Sequence, residues 1–111
     1  MGDITTTRKL NDIDQAVLVS VLALDAEAYG VAVKKEAERR TGRKLSTGTV
    51  YAVLSKAEDH GLVESRLGEP TPERGGRRKR FYAATDQGRR ALSEAHQSTV
   101  NLWDGFIPAP S

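Results

Sequence analysis

Two groups of residues in this 111-residue chain have the chemistry needed to contact a polyanion. The first is a hydroxyl cluster, Ser46, Thr47 and Thr49 around Gly48, which stands at the start of a stretch with helical periodicity. Hydroxyl groups and the free backbone N–H groups of a helix N-terminus can bind a phosphate or reach a base edge. The alternative is that these hydroxyl groups only cap the helix. The cluster therefore predicts a helix N-terminus, with phosphate contact as the favoured function.

The second group is a basic tract, RGGRRKR, with five cationic side chains in seven residues. The net charge of the chain is only +2, but Asp and Glu are spread through the predicted helices, so this tract is a local concentration of positive charge. Such a cluster is the expected electrostatic footprint for a phosphate backbone, and one arginine could enter a minor groove. A solvated loop or a disordered tract has the same composition. The candidate contacts are Arg74, Arg77, Arg78, Lys79 and Arg80.

The hydroxyl cluster opens a predicted helix over residues 46–60. Gly61 follows it and suits a left-handed C-terminal turn. Tyr51 borders the apolar face, so its ring can pack inside while its hydroxyl reaches a phosphate; pure core packing is the alternative. Lys56 lies further along and could contact the DNA backbone. The apolar residues recur at i, i+3, i+4 and i+7 and share one face: Val50, Val53, Leu54 and Ala57.

Two helices are predicted before this one and a hairpin after it. The first covers about residues 12–25, capped by Asp12 or Asp14, and the second covers residues 29–40. Residues 62–67 and 79–84 are predicted strands, joined by the long loop GEPTPERGGRR, whose two prolines and three glycines disfavour both helix and strand. Thr85 and Asp86 cap a fourth helix, which extends to about Trp103.

This order of elements predicts a mainly α fold with a small β-hairpin, an α+β winged helix-turn-helix with an added C-terminal helix. The third helix of such a fold lies in the major groove, and the hairpin loop contacts the neighbouring backbone. The expected organisation is a flexible N-terminal arm, a winged-helix DNA-binding domain, a C-terminal dimerisation helix and a tail, at residues 1–11, 12–84, 85–106 and 107–111.

Three stretches resemble successive signatures of the PadR family of bacterial transcriptional regulators: LALDAEAYGVAVKKEAERRTG, LSTGTVYAVLSKAEDHGLVESR and GGRRKRFYAATDQGRRAL. They cover about residues 18–92. Ala37 and Ala84 are smaller than the residues usual in the family at these positions, and the end of the chain soon after the fourth helix resembles the short-tailed branch of the family.

The resemblance implies a homodimer that binds operator DNA and usually represses, with the fourth helix forming much of the dimer interface. The sequence of that helix agrees, because its apolar residues follow alternating three- and four-residue steps, as in a short coiled coil. The predicted interface residues are Leu92, Ala95, Thr99, Leu102, Trp103 and Phe106.

Trp103 is the sole tryptophan and has two possible roles. In a dimer, a cavity lined by its ring could accept a flat aromatic effector, because π-faces stack favourably. The alternative is an interface anchor, for which tryptophan is well suited.

Several function classes are disfavoured by what the sequence lacks. The chain has no cysteine, and His60 and His96 belong to no metal-ligand pattern, so no metal or cofactor is expected. No nucleophile motif, phosphate-cradling glycine loop or paired carboxylates indicate an enzyme. The N-terminus lacks a signal-peptide pattern and no apolar stretch is long enough for a bilayer span, so we expect a soluble cytoplasmic protein.

The sequence therefore predicts a sequence-specific DNA-binding transcriptional regulator, acting as a homodimeric repressor on a palindromic operator. The alternative keeps the fold and changes the partner: winged helices also serve as protein-interaction modules, in which case the basic loop would meet an acidic protein.

Overall fold

The computed structural model describes residues 9–70 and 78–106, which form four helices and a two-stranded sheet. This architecture confirms the predicted α+β winged-helix fold class. A short 3-10 turn, Asp25–Glu27, separates the first two helices. In chain order the main elements are α1 (Asp12–Leu24), α2 (Gly30–Thr41), α3 (Thr47–Asp59), β1 (Val63–Pro70), β2 (Arg78–Ala84) and α4 (Asp86–Leu102).

Asn11 caps α1, in place of the predicted Asp12 or Asp14. Its side chain accepts a hydrogen bond from the Asp14 backbone N–H at 2.8 Å, and the Asp14 carboxylate accepts one from the Asn11 N–H at 3.0 Å. This reciprocal pair is a capping box. Asn11, Asp12 and Asp14 can all cap a helix, but only Asn11 has the extended backbone of a cap residue, whereas Asp12 and Asp14 lie within the helix. Asn11, assigned to the N-terminal arm from sequence, thus belongs to the folded domain.

The core lies where the first three helices meet the sheet. The apolar face predicted for α3 is confirmed for three of its four residues, while Val53 is only partly buried. Tyr29 precedes α2 and stays partly exposed, whereas Val33 and Ala37, at four-residue steps after it, are buried. The largest fully buried apolar side chains are Leu18, Leu54, Val17, Val21, Val33 and Val50.

Strands β1 and β2 pair antiparallel, with Ser65 opposite Tyr82 and Arg66 opposite Phe81. Strand β1 extends three residues beyond its predicted end, through Gly68 to Pro70, with a shift in register after Leu67. Proline is tolerated there because edge strands and bulges do not need every backbone N–H. Residues 68–70 and 78 therefore belong to strands and not to the predicted loop, and residues 71–77 lie outside the described part of the chain.

Helix α4 begins on the C-terminal turn of α3. The Thr85 hydroxyl accepts the Gly88 N–H at 3.0 Å, which confirms Thr85 as the cap, and donates to the Gly61 carbonyl at 2.6 Å. A Cβ atom on Gly88 would overlap the carbonyl oxygen of Leu62, so the two segments touch through their backbones. Gly61 has the predicted positive φ, 76°.

In the described ranges 9–70 and 78–106, no helix is both long enough and apolar enough to cross a membrane.

Candidate nucleic-acid interface

The hydroxyl cluster lies at the N-terminus of α3, where one of its members caps the helix and another is free to make further contacts. The Ser46 hydroxyl accepts the Thr49 N–H at 3.0 Å and donates its proton to Thr49 Oγ1 at 2.8 Å. Ser46 is therefore engaged as the helix cap, as the alternative interpretation proposed for one hydroxyl group. Thr49 retains its own proton, and Thr47 is exposed. Phosphate or base contact by these residues stays a prediction.

Gly48 is the second residue of α3, yet the fold does not require a glycine there. A Cβ atom at this position would meet nothing closer than the Ser46 hydroxyl oxygen, at 4.0 Å. Glycine within a helix costs about 1 kcal/mol relative to alanine. A missing side chain does allow close approach of another molecule to the backbone.

Tyr51 lies across the start of α2. Its side chain is 40% exposed, and a Cβ atom on the buried Gly30 would overlap the Tyr51 hydroxyl group. The hydroxyl end of the ring packs against the start of α2, so the ring is neither fully in the core nor free. Contact between this hydroxyl and a phosphate stays a prediction. Burial raises the pKa of the neighbouring Tyr82 phenol, with Arg80 opposing and Tyr51 reinforcing the shift.

The outward face of α3 carries two further exposed residues, Ala52 and Ser55, that the sequence analysis did not select. They follow Gly48 by four and seven residues, opposite the apolar face. This spacing is the signal that could have identified them. The predicted Lys56 is also exposed, at the edge of the same face.

The turn between α2 and α3 is fixed by Glu38. Its carboxylate accepts the Leu45 backbone N–H at 2.8 Å and pairs with Lys34 at 3.1 Å. The Leu45 hydrogen bond, followed by the Lys34 hydrogen bond, lowers the pKa of Glu38. The same turn exposes Arg43 and Lys44, two cations next to the start of α3 that the sequence analysis passed over.

The basic tract divides between the two faces of the hairpin. Arg78, Lys79 and Arg80 are exposed on β2, where successive side chains point to opposite faces. The Lys79 ammonium lies 4.2 Å from the centre of the Tyr29 ring. Arg74 and Arg77, the other predicted contacts, lie outside the described residues.

Arg80 is connected to α3 through the intervening strand. Its guanidinium donates to the Ser65 hydroxyl at 3.0 Å, and Ser65 donates to the Glu58 carboxylate at 2.7 Å. Because Glu58 belongs to α3, this chain of hydrogen bonds holds a hairpin cation beside the third helix.

An aromatic pair braces the other face of the hairpin. Tyr29 and Phe81 meet edge to face with ring centres 5.7 Å apart, and their backbones form an isolated bridge. The Arg66 guanidinium lies 5.0 Å from the centre of the Phe81 ring. The sequence analysis did not predict this pair, because the two residues are distant in the chain.

The end of α4 and the turn after it expose large apolar side chains; the helix ends at Leu102, so Trp103 and Phe106 lie beyond it and not within the predicted helix over residues 85–106. Leu102, Trp103 and Phe106 are 75%, 51% and 84% exposed, and the unpredicted Val100 is also exposed. Leu92, by contrast, packs partly against the core of its own chain. Ala95 is partly buried and Thr99 exposed. The dimer interface stays a prediction, and the exposed residues among those predicted for it are concentrated toward the end of the helix.

Two clefts lie in the described residues away from Trp103. The wider one, with a volume of about 400 Å³, lies between the Asp25 turn and the outer face of the hairpin, next to Arg66 and Phe81. The smaller one lies between α1 and α3 and includes Leu10 and Lys56. Within residues 9–70 and 78–106, no three His, Asp or Glu side chains come close enough to hold a metal ion.

Comparison with known proteins identifies relatives of this chain. Residues 18–94 match the sequence profile of the Transcriptional regulator PadR-like family. A transcriptional regulator of Mycobacterium tuberculosis is 35% identical over 82 residues, which are 72% of this chain and 70% of the relative.

Solved structures share the fold. A PadR family transcriptional regulator from Eggerthella lenta superposes with a TM-score of 0.58 at 26% identity, covering 82% of this chain and 80% of the other. A transcriptional regulator from Clostridium thermocellum superposes with a TM-score of 0.65 at 22% identity, covering 86% of this chain and 90% of the other. At that lower identity, the second similarity concerns the fold alone.

Proposed function

Because the chain belongs to the PadR-like family of transcriptional regulators, we propose that it is a cytoplasmic homodimeric repressor that binds a palindromic operator. Family membership agrees with the prediction of a regulator rather than an enzyme. The proposed contacts are the N-terminal half of α3 in the major groove and the hairpin, here called the wing, on the neighbouring backbone.

The start of α3 is the observation that carries this proposal. The backbone N–H groups of Thr47 and Gly48 belong to the first turn, and they have no acceptor among the described residues. The absent side chain of Gly48 gives a phosphate or a base edge access to them. Gly48 weakens the helix and is not needed for its packing. A partner that approaches the backbone closely would explain a glycine at this position.

The wing supports the same interface. Arg80 is held beside α3 by the hydrogen bonds through Ser65 to Glu58. The position of this wing cation relative to the third helix is therefore set before DNA is present. Side chains that are already ordered lose less conformational entropy on binding.

The apolar end of α4 supports the homodimer. Leu102, Trp103 and Phe106 are each more than half exposed, and they cluster within five residues of one another. The same patch on a second copy would bury these side chains across a two-fold axis. A dimer of this symmetry matches inverted repeats in DNA. An aromatic effector is not part of this function, because no cleft of the single chain described above includes Trp103 and the predicted cavity would form only in the dimer.

Two experiments test this function. In a gel-shift assay with fragments of the gene's own upstream region, at near-physiological salt with competitor DNA, we expect a specific complex. In a reporter strain carrying the bound fragment, we expect transcription to fall when the protein is produced, whereas a rise would make it an activator. Failure to exceed non-specific affinity on any fragment, together with capture of an acidic protein partner, would favour the protein-interaction alternative.

A further inference from the structure

The outer face of the wing carries a row of two cations and two aromatic rings. The Lys79 ammonium lies 4.2 Å from the centre of the Tyr29 ring, and the Tyr29 and Phe81 rings meet edge to face at 5.7 Å. At the other end of the row, the Arg66 guanidinium lies 5.0 Å from the centre of the Phe81 ring. Lys79 and Phe81 belong to β2, whereas Tyr29 directly precedes α2. The row therefore joins the wing to the start of α2.

Tyr29 is a fixed platform within this row. Its backbone bridges to Phe81, and the preceding carbonyl group, that of Ala28, accepts the Tyr82 N–H at 2.8 Å. The Phe81 ring that packs against it is itself confined, because a Cβ atom on Gly68 of β1 would overlap that ring. The Tyr29 side chain is partly buried and has only two torsions to order. The position of its ring is therefore set by the fold.

Lys79, in contrast, has a long and exposed side chain. The salt bridges formed among residues 9–70 and 78–106 do not include it. A lysine stem loses considerable rotamer freedom when its ammonium is held in one place. Stacking on Tyr29 restricts this freedom before any ligand binds, while the ammonium keeps N–H donors that point away from the ring. The Lys79 ammonium is thus ordered and still able to bind an anion.

The ring also determines on which side of the wing this cation lies. Neighbouring residues of β2 point to opposite faces, so Arg80 lies on the inner face, where Ser65 and Glu58 hold it beside α3. We propose that Tyr29 is a positioning residue, whose ring orders Lys79 for contact with a DNA phosphate on the face of the wing opposite Arg80. This proposal rests on the DNA-binding function proposed above and adds to it a residue that acts through another.

A double-mutant cycle on DNA affinity tests this coupling. A bound DNA is first selected from a random pool, and its affinity for each variant is measured by fluorescence anisotropy. Tyr29→Leu should weaken binding about two- to fivefold per wing, the range that corresponds to an exposed cation–π contact. In a Lys79→Ala background the same substitution should have no further effect, because the side chain that the ring orders is absent.

Lys56→Ala is the matched control background, since Lys56 is an exposed cation of α3 and not of the wing. Tyr29→Leu should keep its full effect there. Tyr29→Phe retains the ring face and lacks only the hydroxyl group, so it should bind within about twofold of the wild type. Independent effects of Tyr29→Leu and Lys79→Ala would overturn the proposal. Equal losses in Tyr29→Phe and Tyr29→Leu would also overturn it, because they would make the hydroxyl group the contact.

NMR of the wild type provides a second measurement that needs no leucine variant. Protons above an aromatic ring resonate upfield, so the Lys79 ε-methylene protons should lie upfield of those of Lys56, both in the free protein and on DNA. An upfield shift that disappears when DNA binds would show that Lys79 leaves the ring, and would overturn this proposal alone. A pool from which no specific DNA is selected would contradict the proposed function, and this proposal with it.

Discussion

The Tyr51 hydroxyl group lies against the backbone of Gly30, and this contact seats α3 on the first turn of α2. Gly30 is buried, while the Tyr51 side chain remains 40% exposed. One aromatic residue thus packs between two helices and borders the surface proposed to bind DNA.

Gly30→Ala should destabilise the fold. An added Cβ atom would collide with the phenol ring, and overpacking of this kind typically costs about 1–3 kcal/mol. Helix propensity alone favours alanine over glycine by about 1 kcal/mol, so a lower urea midpoint would show that the collision dominates.

The double variant Gly30→Ala with Tyr51→Ala provides the control, because it removes the ring that the new methyl group would meet. We expect the cost of the alanine at position 30 to disappear in this background. Additive effects of the two substitutions on the free energy of unfolding would contradict the contact.

Gly48→Ala should have the opposite effect on stability. Its Cβ atom would meet no atom of the fold closer than the Ser46 hydroxyl oxygen at 4.0 Å, so the variant should gain about 0.5–1 kcal/mol in urea unfolding. DNA affinity should nevertheless fall, because the methyl group would obstruct close approach to the first turn of α3. Unchanged affinity for a selected site would show that nothing approaches the backbone there.

Periodicity predicted part of this site from sequence, since it depends on residues close together in the chain. The apolar pattern from Val50 to Ala57 placed the core face of α3, and the hydroxyl cluster placed its start. The contact between Tyr51 and Gly30 could not be predicted in this way, because it requires the angle between α2 and α3. The same limit applies to Tyr29 and Phe81, whose backbones bridge across about fifty residues of chain.

Alternation along β2 was a signal available in the sequence but not used. Neighbouring strand residues point to opposite faces, which separates Lys79 from Arg80 although both belong to one basic tract. The helical period of α3 was a similar signal, because it places Ala52 and Ser55 on the exposed face opposite the apolar residues. These residues were passed over because small side chains carry no charge or aromatic ring to attract notice.

Removing two wing cations should lower the salt dependence of DNA binding. For Arg78→Ala with Arg80→Ala, we expect weaker binding on every sequence and a smaller slope of log affinity against log salt, by about one unit per lost contact. Arg89→Ala with Arg90→Ala removes the same charge from exposed positions on α4 and should change the slope less. Equal changes in both variants would indicate a general charge effect instead of wing contacts.

Trp103→Ala should weaken self-association. The tryptophan is half exposed in the single chain, and burial of large aromatic residues dominates many interfaces. Sedimentation velocity should show a dimer for the wild type and a larger monomer fraction for the variant. Val31→Ala is a suitable control, because Val31 is similarly exposed, at 52%, but lies on α2. A wild-type monomer at micromolar concentration, or equal effects of both substitutions, would contradict the α4 interface.

Selection of bound DNA from a random-sequence pool tests the central claim most directly. A homodimer that places one α3 helix in the major groove of each half-site should enrich an inverted repeat, with half-site centres about one or two helical turns apart, or about 10 or 20 base pairs. Enrichment of a single site or a direct repeat would contradict the two-fold arrangement. A pool that stays random would contradict sequence-specific binding itself.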